Sequence, residues 1–146
     1  MNRKNISYKG KKVYAGIDVH KKTYSVTVIC GTEVVARDTM QASPEGLGRY
    51  LKKRFLGAQI FSVYEAGFSG FGLHRKLVEL GVRNIVINAA SLQTAANDKV
   101  KTDKRDSKKL AEQLKDGRLK AIHVPSVEQE LKRVLTRTRE QVVRHR

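Results

Sequence analysis

The sequence predicts an α/β domain on one mixed sheet, in which a three-stranded antiparallel meander is continued by parallel strands with flanking helices. Three observations point there. Residues 12–40 hold three short runs rich in β-branched residues, joined by links short enough for hairpins. From residue 43 onward, apolar residues recur near the helical period. Those helical segments alternate with short apolar runs, the pattern of crossover connections between parallel strands.

Taken in order, KVYAGIDV (12–19) is a strand that is apolar on both faces. TYSVTVIC (23–30) alternates, and EVVARDTM (33–40) makes the third strand. His20-Lys21-Lys22 and Gly31-Thr32 are the links. Ser43-Pro44-Glu45 starts a helix, with Ser43 as N-cap and Pro44 in the first turn. Leu47, Leu51 and Phe55 share one face of it. QIFSVY (59–64) is a buried strand, Gly67 to Gly72 a turn, and Leu73 to Leu80 a helix with Gly81 as its C-cap. RNIVI (83–87) is the fifth strand, 89–101 a loop, and 104–116 a helix ended by Gly117. The order β-β-β-α-β-α-β-α is the layout of the ribonuclease H-like fold, a likeness of architecture that carries no function by itself.

Residues 126–146 differ. Ser126 caps a helix whose apolar positions Val127, Leu131, Val134, Thr138 and Val142 form a narrow coiled-coil-like stripe. The pattern runs to Arg146 without a cap, so the sequence reads as a piece of a longer protein. Such a stripe either packs back on its own domain or pairs with a second copy, and the pairing is the favoured expectation.

The chain has 146 residues, 40% of them hydrophobic, which suits one globular domain. The net charge of +16 argues for a polyanionic partner, most often nucleic acid. The charge sits at the ends: +6 over residues 1–22, +2 over 23–98 and +8 over 99–146. Cys30 is the single cysteine, so no internal disulfide can form; a small buried hydrophobe in a reducing cytoplasm is expected. MNRKNISYKGKKVYAG lacks the apolar stretch of a signal peptide, and no apolar run is long enough to span a bilayer. His20, His74, His123 and His145 have no zinc-ligand spacing.

The chemistry lies in the carboxylates. Asp18 sits near the end of the first strand and Glu65 just past the fourth, and these strands are neighbours in the expected sheet. Asp103 and Asp106 lie three apart within KVKTDKRDSKKLAEQL (99–114), so they share a face at a helix start. Four acids meeting at one rim would repel each other unless cations hold them. Two Mg²⁺ (or Mn²⁺) ions about 3.5–4 Å apart do so in phosphoryl transfer. Lys21, Lys22, Lys101, Lys104, Arg105 and Lys108 would then hold the phosphates on which the metals act. The plainer readings are a turn role for Glu65, an N-cap for Asp103 and a dipole-favoured first-turn acid for Asp106. The glycines of AGFSGFG (Gly67, Gly70, Gly72) fall in the order G-x-x-G-x-G, which is not the dinucleotide-binding order; a tight turn near the acids suits them better.

Together GIDVHKKTYSV (16–26), YEAGFSGFGLHRKLVELGV (64–82), RNIVINAA (83–90) and KTDKRDSKKLAEQL (101–114) resemble the DEDD-type transposases of insertion sequences, which include Piv-type invertases and bridge-RNA-guided recombinases. Residues 128–146 look like the start of that family's linking coiled coil. The sequence departs from family habit at Ala66-Gly67, Ala89 and Ser107, none of them an acid. The resemblance implies a RuvC-like catalytic domain over 11–124, after a basic arm (1–10) and before the linking helix (125–146). It implies Asp18, Glu65, Asp103 and Asp106 as Mg²⁺ ligands, DNA as partner, a guide RNA in some members, no membrane, and a homo-oligomer through the last helix. It also implies a second half with a nucleophilic serine, a role that falls to no serine here. A stand-alone RuvC-like endonuclease and a non-catalytic binding module are the alternatives. A proofreading-type exonuclease would need D-x-E where Asp18-Val19-His20 stands.

Overall fold

The computed structural model describes residues 7–67, 70–88, 105–129 and 131–132. Strands β1 (Lys12–Val19), β2 (Thr23–Cys30) and β3 (Glu33–Gln41) form the expected meander. Helix α1 (Pro44–Arg54), β4 (Gln59–Glu65), α2 (Gly72–Glu79), β5 (Arg83–Ile87) and α3 (Ser107–Lys115) follow. The five strands lie in the order β3-β2-β1-β4-β5, with β4 parallel to both β1 and β5. This is the ribonuclease H-like arrangement, with β1 at the centre.

Strand alternation gives the sheet two working faces. One carries Val13, Ala15, Ile17 and Val19 of β1 with Tyr24, Val26 and Val28 of β2, and buries them against Leu47 and Leu51 of α1, Phe55 at its C-cap, and Leu73 and Leu77 of α2. The helix starts as expected, with Ser43 Oγ accepting the Gly46 N–H at 3.0 Å. Gly81 (φ +93°) and Gly117 (φ +71°) end α2 and α3 in the left-handed conformation that favours glycine. Among the described residues the second face is covered by α3, through Leu110 against Val63 and Ile87, with Leu119 beside them. Residues after α3 return along β5, where Ile122 N–H donates to Val86 O at 2.8 Å.

Three details differ from the sequence reading. Helix α3 starts at Ser107 rather than at 104, so Asp106 itself is the N-cap. Cys30 is half-buried, because it closes β2 at the hairpin to the edge strand. A Cβ added at Gly67, Gly70 or Gly72 would meet nothing within 4 Å, so no neighbour crowds the turn after β4. The turn is instead held by Tyr64, whose hydroxyl donates to Gly70 O at 3.0 Å and accepts the His74 N–H at 3.2 Å. Burial pushes that phenol up to about 12. Ser126 and Gln129 exchange capping bonds at 3.0 and 3.1 Å, as a helix start requires, and Val127 and Leu131 are exposed. The rest of the stripe (Val134, Thr138, Val142) lies outside the described residues. Among the described residues no helix is long and apolar enough to cross a membrane.

Candidate functional site

The site is assembled by register. Ile17 pairs with Tyr64 across the parallel β1–β4 ladder, so Asp18 and Glu65 follow in step and share the α3 face at the carboxyl ends of two central strands. Carboxyl ends are where open α/β sheets place their ligands. On the other side of β1, Asp18 pairs with Ser25, which pairs with Thr39. The Ser25 and Thr39 hydroxyls are 3.3 Å apart.

Helix α3 brings Asp106 to this row, and Gly16 makes that possible. A Cβ at Gly16 would sit 2.0 Å from Ser107 O and 2.5 Å from Ala111 N, so only glycine lets the helix backbone seat on β1. The seat is fixed by a buried bond of 2.8 Å between the Thr27 and Ser107 hydroxyls. Asp106 Oδ1 accepts the Lys109 N–H at 2.7 Å. This cap holds the carboxylate at the positive end of the helix.

Asp18 and Asp106 thereby line one cleft of about 320 Å³, with Ser25, Val26, Arg37, Asp38, Thr39 and Ser107. The Asp18 side chain is 17% exposed, and its Oδ2 lies 3.1 Å from His20 Nε2. Asp38 is held from the opposite face by the Tyr50 hydroxyl and by Arg54 at 3.5 Å. Burial and the hydrogen bond to Asp38 raise the Tyr50 phenol far above its ordinary range.

Glu65 sits beside the cleft with a different partner. Its side chain is 1% exposed, and Oε2 lies 2.9 Å from Nη1 of Arg105, itself 12% exposed. Oε1 accepts the main-chain N–H of Arg105 at 3.1 Å. Removing either member of such a pair leaves a buried charge uncompensated, at a cost of about 3–5 kcal/mol. The expectation that Arg105 stands free for phosphate is therefore changed: this arginine neutralises one of the candidate acids. Lys21, Lys22 and Lys108 are exposed, as phosphate contacts need to be. Asp103, Lys101 and Lys104 lie outside the described residues.

Carboxylate oxygens are the donors that hard divalent cations prefer. Asp18 and Asp106 both line the cleft, and Glu65 follows Asp18's register, so the donor types suit Mg²⁺ or Mn²⁺. Among the described residues, no three acid, histidine or cysteine side chains yet stand close enough to enclose an ion. Arg37 is the residue that the sequence left unnoticed. It pairs with Thr27 on the α3 face and is a cation in the wall of an acidic cleft. The signal was available in the period of two along β3, which puts Arg37 and Thr39 on the Asp18 side.

A mixed five-stranded sheet in the order β3-β2-β1-β4-β5, with Asp18 near the carboxyl end of β1 and Glu65 at that of β4, is a ribonuclease H-like architecture. A family model described as Transposase, for DEDD transposases of the IS110 type, matches residues 15–146. The chain belongs to that family. The transposase for insertion sequence element IS1533 of Leptospira borgpetersenii is 34% identical over 112 residues, 75% of this chain and 32% of its own length. A second relative, y4qE of Sinorhizobium fredii, also carries the transposase name and is 33% identical over 137 residues, 91% of this chain and 35% of its own length. The chain thus spans about a third of the curated relatives that it matches. Among solved structures, Thermus thermophilus RuvC in complex with a Holliday junction substrate aligns with a TM-score of 0.46 and 13% identity, over 76% of this chain and 99% of that one.

Proposed function

We propose that this domain is the metal-dependent part of a DNA transposase or site-specific recombinase, acting in strand cleavage and exchange. The observation that carries the reading is the convergence of Asp18 and Asp106, from opposite halves of the sequence, on one cleft in a chain of the DEDD transposase family. Asp18, Glu65, Asp103 and Asp106 would hold Mg²⁺ or Mn²⁺, which supplies a Lewis acid and an activated oxygen nucleophile for phosphoryl transfer.

The chain's own residues have definable tasks. Asp18 and Asp106 bind from the strand and helix sides of the cleft. Ser25 and Thr39 present hydroxyls to one side of the bound phosphodiester. Arg37 takes a non-bridging phosphate oxygen and sets the strand against the acids. Lys21, Lys22, Lys101, Lys104 and Lys108 extend the grip along the backbone. DNA is the partner, and a guide RNA in complex with it would meet the same basic surface. The setting is the cytoplasm, where Cys30 stays reduced. We infer that the segment 126–146, which opens with exposed Val127 and Leu131, pairs copies of the protein.

Arg37→Ala tests the substrate side of this account. We expect weaker DNA binding, with the slope of log affinity against log salt shallower by about one. Mn²⁺ affinity should not fall, because Arg37 is a cation in the cleft wall and not a ligand. Fluorescence anisotropy across a salt series measures the first and calorimetry the second. An unchanged salt slope would remove Arg37 from the interface.

A further inference from the structure

We propose that Arg105 is a place-holding cation: its guanidinium neutralises Glu65 until a divalent cation and a DNA phosphate arrive, and then exchanges the carboxylate for the phosphate. The inference rests on the reading of Glu65 as a metal ligand given above.

The geometry of the pair suggests exchange rather than a plain buried bridge. Arg105 reaches Glu65 by two separate routes. The main-chain N–H takes Oε1 at 3.1 Å, and the guanidinium takes Oε2 at 2.9 Å. The same Nη1 lies 3.4 Å from Asn88 O, beyond the end of β5. The main-chain contact belongs to the residue next to the Asp106 cap. It can persist when the side chain leaves, so Glu65 stays tied to the start of α3. A metal bound at Oε2 would displace the side-chain contact, because both claim the same oxygen. Two cations a few ångström apart in a site this dry repel strongly.

A nearly fully buried carboxylate needs a counter-charge at all times. Arg105 supplies one that does not depend on metal. An arginine stays charged across the working pH range, so only ligands can trigger its departure. Once displaced, the guanidinium is a planar fork that matches a phosphate bidentately. Its position directly before Asp106 keeps it at the mouth of the acid cluster, where the scissile backbone would run. Metal entry requires the arginine to leave, and DNA gives it somewhere to go. The two ligands therefore bind cooperatively, and each tightens the other by the same factor.

The test is Mn²⁺ binding to the 146-residue chain, read from the electron paramagnetic resonance signal of free Mn²⁺, with and without a short DNA duplex at low salt. Wild type, Arg105→Gln and Glu65→Gln are compared. Wild type should bind Mn²⁺ weakly alone and about 5–150-fold more tightly with the duplex, the usual range of a coupling between sites. Arg105→Gln should bind Mn²⁺ without DNA nearly as tightly as wild type does with it, and lose the coupling. Glu65→Gln should bind weakly under both conditions. Equal Mn²⁺ affinity of wild type with and without the duplex overturns the proposal, and that comparison decides even where Arg105→Gln fails to fold. Arg105→Gln binding more weakly than wild type overturns it as well. If Glu65→Gln binds as tightly as wild type throughout, the metal role of Glu65 is what has failed, and the exchange falls with it.

Discussion

Asp18→Asn is expected to abolish Mg²⁺-dependent DNA strand cleavage while the fold stands. Asp18 lies between the buried Ile17 and Val19 on the central strand, yet its own side chain opens on the cleft shared with Asp106. Asparagine keeps the volume and the β-strand pairing with Ser25 and removes only the charge. The neutral amide is a poor ligand for a hard cation. Metal assistance is worth several kcal/mol of transition-state stabilisation, so the rate should fall on the order of 10³-fold. Nicking of supercoiled plasmid reads the rate of the strand cleavage proposed for this domain. Thermal unfolding of the 146-residue chain reads the fold, which is expected to persist because the amide keeps the volume of this 17% exposed side chain and the strand pairing. Cleavage that survives within about tenfold would remove Asp18 from the chemistry.

Gly16→Ala is expected to give the largest loss of stability of any Gly→Ala change among the described residues. The new Cβ would stand 2.0 Å from the Ser107 carbonyl oxygen and 2.8 Å from Leu110 Cβ. The Ser107 oxygen is backbone and cannot turn aside, so α3 must lift from β1. That breaks the buried Thr27–Ser107 hydroxyl bond and loosens Leu110 from Val63. Overpacking of this kind costs about 3 kcal/mol. In a chain of this size that is a fall of roughly 10 °C in Tm. Mn²⁺ affinity should fall with it, because the lifted helix carries Asp106 away from Asp18. Gly67→Ala is the control, since its Cβ would meet nothing within 4 Å, and Tm should barely move. Equal Tm values for the two variants would mean that α3 does not seat on Gly16.

The strands were legible because each carries its own β-branched run and the links between them are short. The carboxylate site was half legible. Asp18 and Glu65 could be placed together because parallel neighbours keep their residues in step. The plainer local reading gives the N-cap to Asp103 and the first turn to Asp106; Asp106 is the cap, because Ser107 seats on Gly16, a contact between distant parts of the chain. Arg105 was unreadable for a related reason. Within a lysine-rich run it resembles its neighbours, and only the contact with Glu65, 40 residues earlier, separates it from them. Arg37 was missed because it looks like an ordinary solvated charge on an edge strand until the register through Thr27 shows which face it shares.

The most direct test of the central claim is anomalous scattering from Mn²⁺ in crystals of this chain grown with a DNA oligonucleotide. A peak is expected between Asp18 and Asp106, with carboxylate oxygens at about 2.1 Å and Glu65 in the same shell. Ordered DNA along the basic surface with no peak at that cleft would contradict it. The acids would then serve as caps and charge balance, in a domain that binds nucleic acid without acting on it.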